Sequence, residues 1–282
     1  MRGFRLLVAS FLVMTLCVFA GIPSVVTAQE KGKGVFAPIS LDSAAYPDYD
    51  YSRANKLPMT GYFEKSFDVN GEMRTAKVYI SSTAPIRSFF TVIAVPDGMD
   101  TTEFLVKSGW HDIADSAEEC LLLLEPGRKG WGDPEDEQAY INAAMDFYKS
   151  NKYFSIFGLH YLVGYGRGGT ALEAWAAAHP LFVISQAYVN TESLGDAYYS
   201  RFETMYFDGK SSGYTPIEIP DQIKIAYSEV PVPTWYIHWD LGKVSKAISY
   251  WKSVNDCVPD AVIKPDYLYG SRVYAQARDS DA

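Results

Sequence analysis

Residues 159–173 read Leu-His-Tyr-Leu-Val-Gly-Tyr-Gly-Arg-Gly-Gly-Thr-Ala-Leu-Glu. An apolar run enters a glycine-rich turn, and an alanine-rich stretch follows directly. In the pattern Gly-x-Ser-x-Gly, such a strand–turn–helix unit holds a serine above a parallel sheet for attack on an ester carbonyl. Here the frame is Gly164-Tyr165-Gly166-Arg167-Gly168, so the nucleophile position holds Gly166, which has no reactive atom. The same stretch fits a second pattern. Gly164-x-Gly166-x-x-Gly169 has the spacing of a dinucleotide-binding turn, with Glu192 roughly where a ribose-binding acid would sit. That fingerprint is weak outside the first strand–helix–strand unit of its fold, and this one lies in mid-chain.

The elements around the turn follow from periodicity. Phe63, Lys65, Phe67 and Val69 alternate, Asn70-Gly71 is a two-residue turn, and Ala76, Val78 and Ile80 alternate again, which predicts a hairpin. Phe89 to Val95 and Cys120 to Leu124 are continuous apolar runs of the kind found in buried parallel strands. Between them, Glu103 to Glu119 reads as a helix. Asp133-Pro134 opens another helix, running to about Lys149. Capping also explains the acidic cluster Asp133 to Glu137 better than a calcium loop, whose ligand spacing it lacks. Strand His160–Val163, a helix from Thr170 to Ala178, strand Leu181–Val189, strand Thr234–His238 and a helix from Lys243 to Val254 complete the alternation. Residues 191–230 lack a period and read as a cap or insertion. This order predicts an α/β protein: a mostly parallel sheet with helices on both faces and an antiparallel hairpin at its N-terminal side.

The chain has 282 residues, 48% of them hydrophobic, which suits one substantial core. Its net charge of −9 argues against nucleic acid and anionic membrane as partners. Arg2 and Arg5 precede an apolar run from Leu6, and Val26-Thr27-Ala28 offers a small-residue cleavage site. Residues 1–28 are therefore expected to be an export signal, making the protein secreted or extracytoplasmic. An uncleaved membrane anchor is the alternative, since Leu6 to Ala28 is nearly long enough to span a bilayer. Residues 29–58 read as a linker or surface-hugging arm, and 59–282 as the folded domain. Cys120 and Cys257 are the cysteines beyond the signal; their distance in sequence leaves pairing open. No metal-ligand spacing and no cofactor are expected, because an export signal puts the mid-chain fingerprint where free NAD is scarce.

Several segments in order resemble the polyhydroxybutyrate depolymerase and feruloyl/acetylxylan esterase-like branch of the α/β-hydrolases. They are Arg74-Thr-Ala-Lys-Val-Tyr-Ile, Gly109-Trp-His-Asp-Ile-Ala-Asp, Gly130-Trp-Gly-Asp, the turn through His179-Pro180, Pro233-Thr-Trp-Tyr-Ile-His238 and Ala247 to Cys257. The resemblance implies an α/β-hydrolase fold and ester hydrolysis, in which a serine attacks, a histidine takes its proton and an acid orients the histidine. The departures are at those positions. Gly166 replaces the serine, and Gly242 stands where the acid is expected, with Asp240 as the nearest substitute and a turn role as its simpler reading. No histidine follows His238, so the sequence as given ends about where the last strand and its histidine loop are expected. His111, His160, His179 and His238 fall in structural positions of helices and strands. The oxyanion pocket is different, because it needs only backbone N–H groups. Arg167 supplies one by position and the Asp97-Gly98 loop the other. Tyr165 and Thr170 carry hydroxyls beside the turn, but the turn aims its central residue alone at a substrate.

The resemblance implies a plant cell-wall ester, polysaccharide or polyester as ligand. Four functions compete: a pseudo-esterase, an active ester hydrolase with a relocated nucleophile, a non-catalytic binding module and, on the weak fingerprint at Gly164, a dinucleotide-binding protein. Trp110, Trp131, Trp235 and Trp239 would be the stacking surfaces of such a module, unless they pack the core.

Overall fold

The computed structural model describes residues 36–48, 50, 55–86, 89–149, 151, 153–154, 158–207 and 225–257. The expected export signal, the centre of the 191–230 stretch and everything from 258 onward lie outside them. A two-residue strand, β1 (Ile39–Ser40), comes from the arm and pairs in parallel with β2 (Gly61–Val69) at Phe63 and Glu64. The hairpin forms as its alternation and Asn-Gly turn dictate: β2 pairs with β3 (Glu72–Ile80) residue for residue from Gly61↔Ile80 to Val69↔Glu72. The two apolar runs become β4 (Phe89–Ala94) and β5 (Cys120–Leu124), paired in parallel.

The stretch between them corrects the single helix expected from Glu103 to Glu119. It forms α1 (Thr101–Lys107), capped by the Asp100 carboxylate accepting from Glu103 N at 2.9 Å, and α2 (Trp110–Ala117). Gly109, at φ +73°, breaks the run between them. Next come α3 (Pro134–Lys149), β6 (Leu159–Tyr165) and α4 (Gly166–Ala178), which starts four residues before the predicted Thr170. Pro180–Phe182 then forms a 3-10 turn rather than strand, so β7 is confined to Val183–Val189. The stretch read as unperiodic contains a helix, α5 (Asp196–Thr204), ahead of β8 (Thr234–Ile237) and α6 (Ser245–Val254).

Among the described residues the eight strands make one sheet in the order β1-β2-β3-β5-β4-β6-β7-β8. Only β3 runs antiparallel to its neighbours; β5, β4, β6, β7 and β8 are mutually parallel. A hairpin, a swap of the next two strands and a parallel run thereafter is the α/β-hydrolase order. Alternate residues of the central strands face opposite layers. Val92, Ala94, Leu122, Leu124 and Leu162 join the core under α3, α4 and α6, whereas Ile93, Val95, Leu121, Leu123 and Val163 pack under α1 and α2. Each fully buried leucine contributes about 2 kcal/mol of transfer free energy. Cys120 is buried in β5 and Cys257 half-buried; both thiols are free.

Candidate functional site

The turn has the geometry its glycines suggested, and they serve different purposes. Tyr165 ends β6 in extended conformation, Gly166 follows at φ +54°, and α4 begins at once. A Cβ built on Gly166 would meet nothing within 4 Å, so the space is open and only the backbone is restrictive. A side chain held at such a φ costs about 1–3 kcal/mol, which glycine avoids. The other glycines allow close packing. A Cβ on Gly164 would come within 2.2 Å of Gly169 Cα, and one on Gly168 within 2.5 Å of Trp131 Nε1.

The hydroxyls beside Gly166 are engaged. Tyr165 Oη accepts from Trp110 Nε1 at 3.1 Å and its ring meets Phe104 edge-on, with burial pushing the phenol above its ordinary range. Thr170 Oγ1 donates to the Glu192 carbonyl and accepts from Glu192 N, both at 3.2 Å. Glu192 itself turns to Lys243 Nζ at 3.1 Å.

β4 and β6 are neighbours, and Ala94 lies opposite Gly164. The loops that follow them therefore leave the same edge of the sheet side by side, and this brings Asp97, Gly98, Tyr165, Gly166 and Arg167 to one end of two adjacent strands. Arg167 is the second residue of α4, so no earlier helical carbonyl can accept its N–H, and the helix terminus adds partial positive charge. Its side chain is exposed. Asp97 has a holding role: its carboxylate accepts from Trp131 N at 2.7 Å, while Trp131 Nε1 donates to the Val95 carbonyl at 2.7 Å. Behind that clamp, Arg74 Nη1 pairs with Glu137 Oε2 at 2.8 Å, and Glu137 Oε1 accepts from Gly132 N at 2.7 Å. Both members of this pair are buried. Removing one would leave the other's charge uncompensated. The loop beside the turn is thus fixed from three directions.

The remaining candidates are dispersed. Asp240 is exposed in the loop after β8, where its Oδ1 accepts from Gly242 N at 3.0 Å, a turn role. Its own N–H donates to His238 Nδ1 at 2.8 Å. His111 and His179 bond the Leu105 and Trp175 carbonyls through Nδ1, and His160 lies at the far end of β6. Trp110 and Trp131 are core residues, whereas Trp235 and Trp239 are 36% and 74% exposed. Asp133 Oδ1 caps α3 at Glu135 N, 3.0 Å away. Among the described residues no three His, Cys, Asp or Glu side chains converge as for a metal, and no helix is long and apolar enough to cross a membrane.

One buried group escaped sequence reasoning. Glu173 of α4 is fully buried, and its Oε1 accepts from Tyr199 and Tyr236 Oη, each at 2.7 Å, and from Trp251 Nε1 at 3.0 Å. Its Oε2 has no partner. Desolvation pushes the carboxyl up to about 7 against those three hydrogen bonds. The signal in the sequence was a lone acid within Ala-Leu-Glu-Ala-Trp-Ala-Ala-Ala.

The strand order and this turn define a chain with the α/β-hydrolase fold. No protein-family model matches it, and no curated protein does. It is similar in structure to Est1E from Butyrivibrio proteoclasticus, at 14% identity and a TM-score of 0.44 over 69% of this chain and 85% of that one. An α/β serine hydrolase homologue from Coxiella burnetii matches at 11% identity and a TM-score of 0.42, over 69% of this chain and 97% of that one. An acetyl xylan esterase from Aspergillus awamori matches at 12% and 0.37, over 46% of this chain and 52% of that one. The fold assignment rests on the strand order.

Proposed function

We propose that this is an exported, esterase-related protein that binds an ester- or carboxylate-bearing ligand at the turn after β6 without serine-based turnover. The observation carrying this reading is Gly166: the turn keeps positive φ and open space above it, and the residue at its centre has no nucleophile. Loss of a serine nucleophile costs on the order of a million-fold in comparable enzymes. Backbone donors are indifferent to side-chain identity, so the Arg167 N–H and the Asp97-Gly98 loop retain the means to hold a carbonyl or carboxylate oxygen. The engaged hydroxyls of Tyr165 and Thr170 weigh against a relocated nucleophile. Cell-wall esters and polyesters are the ligands that the segment order suggests, and the N-terminal pattern supports export.

The test compares the parent with Gly166→Ser. A serine-directed phosphonate is expected to leave the parent unlabelled, and p-nitrophenyl acetate hydrolysis to stay at background, while Gly166→Ser melts at lower temperature because serine is strained there. Covalent labelling of the parent by the phosphonate would sink the reading. Sedimentation of the parent with insoluble xylan or polyhydroxybutyrate particles measures the binding half of the proposal.

A further inference from the structure

The strands β5, β4 and β6 are parallel neighbours, so the loop after β5 leaves the sheet at the same edge as the turn at Gly166. That loop folds back tightly: Gly130 N donates to the Gly127 carbonyl at 2.9 Å, which puts Arg128 and Lys129 at its tip, both exposed. Its position is fixed on both sides. A Cβ on Gly130 would come within 2.6 Å of Asp97 Oδ1, and the Trp131 indole lies against Gly168 in the first turn of α4. Arg74 Nη2 holds the start of the loop by donating to the Glu125 carbonyl at 3.1 Å. Arg128 and Lys129 are therefore presented at the same end of the sheet as Arg167, whose side chain is exposed at the start of α4.

These three cations differ from the rest. Elsewhere among the described residues, lysines and arginines are matched by carboxylates, as Lys77 is by Glu125 at 2.8 Å, Arg201 by Glu135 at 3.1 Å and Lys246 by Asp196 at 2.7 Å. Lys65, Arg74, Lys107, Lys149 and Lys243 are paired as well, and Lys56 and Lys252 are engaged. Among the described lysines and arginines, Arg128, Lys129 and Arg167 alone have no such partner. With a net charge of −9 the chain has acids in excess, so composition does not force cations to go unmatched. The carboxylates of this edge point the other way. Asp97, Asp100 and Asp133 accept from the backbone N–H groups of Trp131, Glu103 and Glu135. Acids here serve the protein's own donors, and the cations face solvent.

The same net charge limits the size of the partner. Charges act over about 8 Å at physiological ionic strength, so an extended polyanion would meet the acidic surface as well. A compact anion meets the local cations alone. An arginine fork fits a carboxylate through two parallel hydrogen bonds. We propose that the ligand taken at the turn is a small organic carboxylate, with Arg128, Lys129 and Arg167 as the charged groups that select it over its neutral ester. This assignment rests on the reading of the turn as a binding site without serine-based turnover, and it narrows the ligand there to the acid.

The experiment titrates D-galacturonate, its methyl ester and inorganic phosphate into the whole chain at low and at high NaCl, followed by calorimetry and by the Arg167 amide resonance. The acid is expected to bind about tenfold or more tightly than the ester at low salt, the equivalent of one charge-assisted hydrogen bond, and the preference to shrink at high salt. In Arg128→Gln/Lys129→Gln/Arg167→Gln the preference is expected to disappear with the melting temperature close to the parent's, since all three side chains are exposed. Should that variant fail to fold, the comparison of acid and ester in the parent decides alone. Equal affinity for acid and ester, no response to the acid, or an undiminished preference in the folded triple variant would each overturn the assignment. So would phosphate binding as tightly as galacturonate, which would mark a site for inorganic anions. The reading of the turn itself stands or falls separately, by phosphonate labelling of the parent.

Discussion

Glu173 and His160 are both fully buried polar residues at the α4 layer, and they are furnished in opposite ways. Glu173 draws three donors to one oxygen from α5, β8 and α6, so a single carboxyl joins three elements that follow the turn. His160 has aromatic faces around it and no partner for either nitrogen. Burying a polar group is costly in both places, but the first cost is offset from inside the protein. The contrast separates a polar group that ties elements of the fold together from one that is buried without a partner.

The largest way to break this comparison is Glu173→Ala. Three buried donors would lose their acceptor at once, and we expect about 4 kcal/mol of destabilisation in urea unfolding, with Trp251 fluorescence as a local reporter. A loss below about 1 kcal/mol would mean that the cluster is not structural.

Acidity provides the next test, because the two groups bend the stability curve in opposite directions. The folded pKa of Glu173, about 7, lies above its ordinary 4.5. Between those values the folded state holds the proton and the unfolded state does not, so its contribution is complete below 4.5 and is lost as pH rises through 7. His160 is lowered from 6.5 to about 3. In that window the unfolded state binds the extra proton, so its contribution is present above 6.5 and is lost as pH falls toward 3. Relative to the parent, Glu173→Gln should therefore flatten the decline between pH 4.5 and 7. His160→Phe should flatten the decline on the acid side. Parallel unfolding curves for parent and variants across both windows would contradict the burial argument. The tyrosines facing Glu173 do not complicate it, since desolvation moves Tyr188, Tyr199 and Tyr236 upward, away from this range.

The smallest effect is His160→Phe at neutral pH. Removing two unpartnered nitrogens offsets the loss of a fitted ring, so the expected change is within about 1 kcal/mol, of either sign. A penalty near that of Glu173→Ala would mean that the imidazole is already well bonded.

Most of the architecture was legible in the sequence because it is written in local patterns. The Asn70-Gly71 turn fixed the hairpin register, and the apolar runs became central strands. Asp133-Pro134 began a helix at the expected residue. What was missed depends on tertiary contacts. The break at Gly109 is hidden in a helical period that continues across it. The helix Asp196–Thr204 shows little pattern because Tyr199 is held by Glu173 and by stacking on Tyr250, 4.6 Å away. Glycine's poor helix propensity obscured the start of α4, where close packing overrides it. At the candidate site, the turn and its central glycine could be read directly. That Asp97 clamps Trp131 while Tyr165 bonds Trp110 could not, since each partner lies more than thirty residues away in the chain.

The contact between Gly164 and Gly169 has a consequence for how this turn can change over time. Strand and helix meet there backbone to backbone, with no room for even a methyl group, so the bend is cast by the residues on either side of its apex. The apex itself is a removable part. A side chain at residue 166 would enter open space, so a change there leaves the mould that shapes the bend the same.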